Sequence, residues 1–184
     1  MKHTNGIRNV VLGAVAYAVM IALTSAALVA APTTRRTLED SVRHELVMLP
    51  WVGVFDTLSY SVTSDGSVTL SGAVVRPINR YNAEQAVKHL AGVTRVNNQI
   101  EVLPLSSFDD QIRFATLRRL ANSSPLNRYF WGTQPSIRII VKNGNVTLDG
   151  VVSNEGHKQM AFLMANGVSN AFSVTNNLRT DTTN

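Results

Sequence analysis

The sequence predicts an α+β fold built twice. Two tandem α-β-β-α-β sandwiches follow an N-terminal signal segment, each a small three-stranded mixed sheet with two helices on one face. Three observations predict it. Gly66-Ser67-Val68-Thr69-Leu70-Ser71-Gly72-Ala73-Val74 returns 78 residues later as Gly144-Asn145-Val146-Thr147-Leu148-Asp149-Gly150-Val151-Val152. Self-similarity at a fixed spacing marks a repeated structural unit. Each copy opens on a hairpin signal, Asp65-Gly66 or Asn143-Gly144, because a type I′ turn needs the positive φ that glycine supplies freely. Each copy is followed by apolar residues at i, i+3, i+4, i+7: Ala83, Ala86, Val87, Leu90, then Ala161, Met164, Ala165, Val168. That spacing is one face of a helix.

The N-terminal 31 residues read as an export segment. Lys2 and Arg8 form a basic start, Val10 to Val29 carries no charge, and Ala30-Ala31-Pro32 supplies small residues near a cleavage point. An uncleaved anchor is the alternative, since about 20 apolar residues span a bilayer. Either way the rest of the chain is expected outside the cytoplasm. The 184 residues carry a net charge of +5, and +3 once Lys2 and Arg8 are set aside. This mildly basic balance is compatible with attraction to anionic lipid. It argues against nucleic-acid binding. The absence of cysteine excludes disulfides, a cysteine nucleophile, thiolate metal sites and a lipid-modified N-terminal cysteine.

The first domain is expected over residues 37–103. Thr37, with Asp40 three residues on, caps a helix whose apolar face is Val42, Leu46 and Leu49. Pro50 ends it. Trp51 to Asp56 lead into a strand in which Leu58, Tyr60 and Val62 alternate with Ser59, Ser61 and Thr63. After the hairpin, Arg76-Pro77 marks the start of the second helix and Gly92 is placed to stop it. A last strand is expected from about Val93 to Val102, with Val96, Asn98, Ile100 and Val102 on one face.

After the Leu103-Pro104-Leu105-Ser106 linker the pattern restarts, with a second domain expected over 107–180. Ser107 and Asp110 repeat the capping pair, and Ile112, Phe114, Leu117 and Leu120 supply apolar helix positions. Measured from those caps, the second half carries eight extra residues before its hairpin, within Asn122 to Gln134, where Tyr129-Phe130-Trp131 lies. Gly167 predicts that the second helix here ends about three residues early, leaving a longer connection through Phe172. Ile137, Ile139, Ile140 and Val141 leave both faces of one strand apolar, so its outer face is a candidate contact between the halves. Domains of about 70 residues bury little core alone, which favours such packing.

These residues resemble the BON domain family of bacterial envelope proteins. The resemblance covers nearly the whole chain after the signal, as two copies. It rests on Gly-x-Val-Thr-Leu-x-Gly-x-Val at 66–74 and 144–152, on the following helix, and on Gly-Val-x-x-Val-x-Asn-x-Ile at 92–100. The second copy keeps only Val174-x-Asn176-x-Leu178 of the last motif. The arrangement is similar to osmotically inducible periplasmic members and to dual-BON outer-membrane lipoproteins. The resemblance implies the α-β-β-α-β fold, no catalysis, and a role in envelope integrity and stress tolerance through anionic phospholipid binding. This chain departs from the lipoproteins in having no cysteine to acylate.

The motif residues Gly66, Gly72, Gly92, Asn98, Gly144, Gly150 and Asn176 read as structural. Gly66 and Gly144 serve turns. Gly72 and Gly150 sit on the apolar strand face, where a missing side chain lets a helix approach. Asn98 and Asn176 are expected to satisfy backbone groups. Asp109-Asp110 reads as a pair of helix-start acids. The four histidines show no metal-ligand spacing, and no serine has a nucleophile-elbow context, so no enzyme activity, metal or cofactor is expected. One cluster exceeds what the fold needs. Arg113, Phe114, Leu117 and Arg118 precede Tyr129, Phe130 and Trp131. Basic side chains beside aromatics suit a lipid headgroup interface. The expected partner is therefore an anionic phospholipid surface, or, as the alternative, another envelope protein or cell-wall polymer bound by a scaffold module.

Overall fold

The structure is a computed structural model that describes residues 37–132 and 134–181. The predicted signal segment lies outside them. Both halves fall within one compact unit.

The first half is α1 (Leu38–Val47), β1 (Thr57–Val62), β2 (Ser67–Val74), α2 (Pro77–Lys88), β3 (Arg95–Asn98) and β4 (Glu101–Val102). The second is α3 (Ser107–Ala121), a 3-10 turn (Asn127–Phe130), β5 (Ile137–Lys142), β6 (Asn145–Val152), α4 (Glu155–Asn166) and β7 (Ser173–Thr180). In each half the hairpin is antiparallel and the strand after the second helix returns parallel to β2 or β6. The middle strand of each sheet is therefore the motif strand, with orders β1-β2-β3 and β5-β6-β7. The mixed three-stranded sandwich repeats as expected. Val68, Leu70 and Val74 meet Val42, Leu46, Ala83 and Val87 in the first core. Val146, Leu148 and Val152 meet Ile112, Leu120, Ala161 and Ala165 in the second.

Several local details differ from expectation, each for a physical reason. Only Asn143-Gly144 has positive φ at both turn residues, as a two-residue type I′ turn requires. The first hairpin uses a four-residue loop. Gly66 N–H donates to Thr63 O (2.9 Å), and Thr63 N–H to Ser67 O (3.0 Å). There Asp65 receives bonds from the Thr63 hydroxyl and the Ser67 N–H, which hold its carboxyl below the usual value. The clasp is complete at neutral pH and is lost as pH falls through that lowered value.

The cap of α3 is Ser106, whose hydroxyl accepts from Asp109 N–H (3.1 Å), and not Ser107. The extra length of the second half is divided between α3, 15 residues against 10 for α1, and a longer connection into β5. The second helix does not end early. α2 and α4 both have 12 residues, and Gly167 caps α4 with a negative φ of −86°. The left-handed position belongs to Gly92 (φ +95°) in one half and to Asn170 (φ +70°) in the other, 78 residues on. Asn is among the few side chains that tolerate it. The last strand of the first half breaks between Asn98 and Glu101, whereas β7 is continuous.

Gly72 and Gly150 serve a different purpose from the one expected. Both have positive φ, +119° and +126°. A Cβ at either would strike a backbone carbonyl on the adjacent strand's side, that of Thr57 or Ser136. The neighbouring strand, not a helix, excludes the side chain. Asn98 and Asn176 share two bonds, and Asn98 donates in addition to Glu84 Oε2 (3.0 Å). Each accepts from the N–H two residues on, Ile100 (3.1 Å) or Leu178 (3.2 Å), and donates to a helix carbonyl, Arg80 (3.1 Å) or Lys158 (3.0 Å).

The halves meet through the outer face of β5. Ile140 is buried against Ala73 and Leu103. The connection after α1 adds Val54 O, which accepts from Ile139 N–H (2.8 Å), and Gly53 O, which accepts from Arg138 (2.8 Å). Thr57 donates across the seam to Asp149 (2.8 Å).

Substitution of the strained positions tests this account. Gly72→Ala and Gly150→Ala are each expected to cost about 3 kcal/mol, from backbone strain and the carbonyl clash. Asn170→Gly should stay within about 0.5 kcal/mol of the parent, whereas Asn170→Val should cost about 1–2 kcal/mol. Equilibrium urea unfolding measures all four.

Candidate functional site

Asp56 shapes the surface along the seam. Its carboxylate is 4 % exposed and accepts from Gly53 N–H (2.9 Å), Val75 N–H (2.7 Å) and Asn79 Nδ2 (3.2 Å). A buried carboxylate is tolerable only with such partners. The bonds fold residues 51–56 into a tight loop that projects Trp51 one way and turns Phe55 toward the second half. Trp51 adopts φ +72°, a strained conformation for a bulky residue, and its carbonyl accepts from Asn79 Nδ2 (3.1 Å). The indole is 73 % exposed. Phe55 packs against the second core and meets Phe114 edge to face, centroids 5.2 Å apart.

Phe114 is itself 55 % exposed and borders two depressions. One is a slot of about 360 Å³ at the seam, shared with Trp51, Phe55 and Arg76. The other is a groove of about 1000 Å³ between α3 and the end of α4, shared with Arg118, Arg119 and Met164. Arg76 and Arg118 are exposed and, among the described residues, carry no ion pair. Arg119 donates to Gly167 O (3.1 Å). The result is one strip, Trp51–Phe55–Phe114, with exposed Arg76 and Arg118 beside it and Asp110, paired with Arg113, bordering both depressions.

The predicted cluster divides. Phe114 and Arg118 lie on this strip. Arg113 borders the same slot but is not presented there: it is 2 % exposed, bonded to Asp110 and to Val141 O (2.6 Å). One residue before Phe114, about 100° around the helix, it turns toward the sheet, where Asp110 meets its charge and a strand carbonyl accepts its second hydrogen bond. Leu117 and Phe130 are half-buried against the second core. Tyr129 is buried, and its phenol oxygen accepts from Ser153 N–H (3.0 Å), with Ser153 Oγ and His157 Nδ1 each 2.7 Å away. Tyr129 thus anchors the insert to the β6–α4 corner. Trp131, just beyond it, is 70 % exposed, and borders neither depression. Asp109, expected as a helix-start acid, is buried and clasps the second hairpin. It accepts from Asn143 N–H (2.9 Å) and Gly144 N–H (2.7 Å).

Trp51, Phe55 and Arg76 are the residues the sequence did not bring together with Phe114. Trp51 and Phe55 lie in the connection after α1, and Arg76, read from the sequence as a helix boundary, is the N-cap of α2. Among the described residues no group of three or more His, Cys, Asp or Glu converges to hold a metal ion. Among them, too, no helix is long and apolar enough to cross a membrane.

The BON domain profile matches the sequence twice, over residues 34–104 and 108–182. No curated protein matches. Two solved structures of CdsD, titled a structural protein of the type III secretion system of Chlamydia trachomatis, resemble the chain. One, its C-terminal domain, is 14 % identical with a TM-score of 0.31, over 76 % of this chain and 62 % of that one. The other is 13 % identical with a TM-score of 0.31, over 79 % and 93 %.

The anchoring of the insert is directly testable. Tyr129→Phe removes the hydroxyl shared by Ser153 and His157 and should cost about 1–2 kcal/mol in urea unfolding. In a Trp51→Phe variant, whose remaining tryptophan is Trp131, iodide should quench the fluorescence strongly, as the 70 % exposure of that residue requires.

Proposed function

The chain belongs to the BON domain family, in two tandem copies, and from that premise we propose that it is a non-enzymatic envelope protein that binds anionic phospholipid surfaces. The observation that carries the proposal is the seam strip: two exposed aromatic side chains, Trp51 and Phe114, beside Arg76 and Arg118, which have no ion pair among the described residues. Indole and phenyl groups partition into the headgroup boundary, and guanidinium groups are drawn to anionic lipid. Each arginine near such a surface contributes about 1 kcal/mol, screened by salt. Two arginines and two partly inserted rings make a reversible, weak association. Placement outside the cytoplasm rests on the basic start and uncharged run of residues 1–31. On this proposal the protein works by adhering to the membrane face of the envelope and supporting its integrity.

Vesicle co-sedimentation tests it. The purified protein should bind phosphatidylglycerol vesicles in preference to phosphatidylcholine vesicles at low salt, and the difference should shrink as salt rises. Arg76→Gln with Arg118→Gln should remove most of the preference, and Trp51→Ala with Phe114→Ala should weaken binding to both. Equal binding to the two lipids at low salt would overturn the proposal.

A further inference from the structure

On the other side of the 51–56 loop lies a third depression, unused by the proposed membrane contact. It is a crevice of about 450 Å³ between α1 and β1 of the first half and β5, β6 and β7 of the second. That volume falls within the range of small-molecule sites. Three arginines line it: Arg43 from α1, Arg138 from β5 and Arg179 from β7. Tyr60, Gln134 and Ser136 add polar groups, and the carboxylates of Asp56 and Asp149 also border it.

The arginines are unusual in their partners. Arg138 is half-buried, yet it donates only to neutral acceptors, Gly53 O (2.8 Å) and Gln134 Oε1 (2.6 Å). Buried charges are ordinarily paired with an opposite charge. Asp56 and Asp149 act on Arg138 only through space, and burial pushes its guanidinium below the ordinary value against their influence. Both carboxylates are engaged elsewhere: Asp56 by Gly53, Val75 and Asn79, Asp149 by Thr57 and Gly150 N–H. Arg43 and Arg179 are exposed and, among the described residues, have no ion pair. One crevice thus gathers three guanidinium groups from both halves, one more than its two carboxylates, Asp56 and Asp149, neither of which forms an ion pair with them among the described residues.

We propose that this inter-domain crevice binds a small organic oxyanion, a phosphate ester or sugar acid about the size of a monosaccharide. Arg43 and Arg179 grip the anionic group from opposite halves, and Arg138 supplies the field at the floor. Guanidinium forks match phosphate and carboxylate geometry. The hydroxyl and amide groups of Tyr60, Ser136 and Gln134 face the uncharged part of the ligand. Because the grip spans the seam, binding also holds the two halves together.

Glucose 6-phosphate and glucuronate are the probes, with glucose as the neutral control and sodium chloride at matched ionic strength. Titration calorimetry should show saturable binding of at least one acidic sugar and none of glucose. The thermal midpoint should rise with that ligand, as linkage requires. Arg43→Gln with Arg179→Gln should weaken binding by about tenfold or more, while leaving the urea midpoint and phosphatidylglycerol-vesicle binding unchanged. No binding of either acid, equal effects of salt and ligand, or unchanged affinity in the double variant would each overturn the proposal. Loss of vesicle binding in that variant without soluble-anion binding in the parent would also overturn it, assigning the crevice to the membrane face. Failure of the strip variants to affect vesicles leaves the crevice titration unaltered, so the two proposals fail separately.

Discussion

The arrangement of the two halves depends on one buried carboxylate. Asp56 gathers Gly53 N–H, Val75 N–H and Asn79 Nδ2, and so binds the connection after α1 to the end of β2 and the start of α2. A charged group gives up much hydration to be buried and repays it only through such bonds. With Asp56 in place, Gly53 O and Val54 O face Arg138 and Ile139 N–H of the second half. Phe55 is set against Phe114, and Trp51 is held outward. The same loop separates the seam slot from the arginine crevice. Without the carboxylate, Gly53 N–H, Val75 N–H and Asn79 Nδ2 would lose the acceptor that draws them together.

The two domains share what their cores require and differ where they meet. The Asn98 and Asn176 bonds, the helix lengths of α2 and α4, and the positive φ of Gly72 and Gly150 repeat with the same spacing. The hairpin clasps do not repeat. A surface carboxylate, Asp65, ties the first turn, and a buried one, Asp109, reaches from α3 to tie the second. The connections into the first strands diverge most. One becomes the seam loop, and the other becomes the Tyr129-anchored insert. Surface function in a repeat is expected at such divergent connections, because loops tolerate change that cores do not.

Much of the candidate site was legible as a tendency and not as an arrangement. Phe114 and Arg118 were visible because they share a helix with apolar spacing. Arg113 lies on the same helix, and its chemistry looked equally suited to a headgroup. It is buried because Val141, across the fold, presents a carbonyl to it. Tyr129 looked like part of an aromatic surface, and it is an anchor because Ser153 and His157 face its hydroxyl. In each case the deciding partner lies far away in sequence. The Gly167 signal misled for a related reason. Glycine after a helix suggests a left-handed stop, but Asn170 meets that requirement three residues later.

The sequence by itself determined the repeat, the order of elements, the hairpin positions and the two cores. Those rest on local periodicity and on backbone conformations that only glycine or asparagine adopts cheaply. The tertiary structure alone decided which charges are buried, which aromatics are presented and where arginines from different halves converge. Burial and convergence depend on what packs across the seam, and no spacing along the chain encodes that contact. Trp51 and Phe114, or Arg43 and Arg179, come to border one depression because the Asp56-folded connection and the Ile140–Ala73–Leu103 contact set the two halves together.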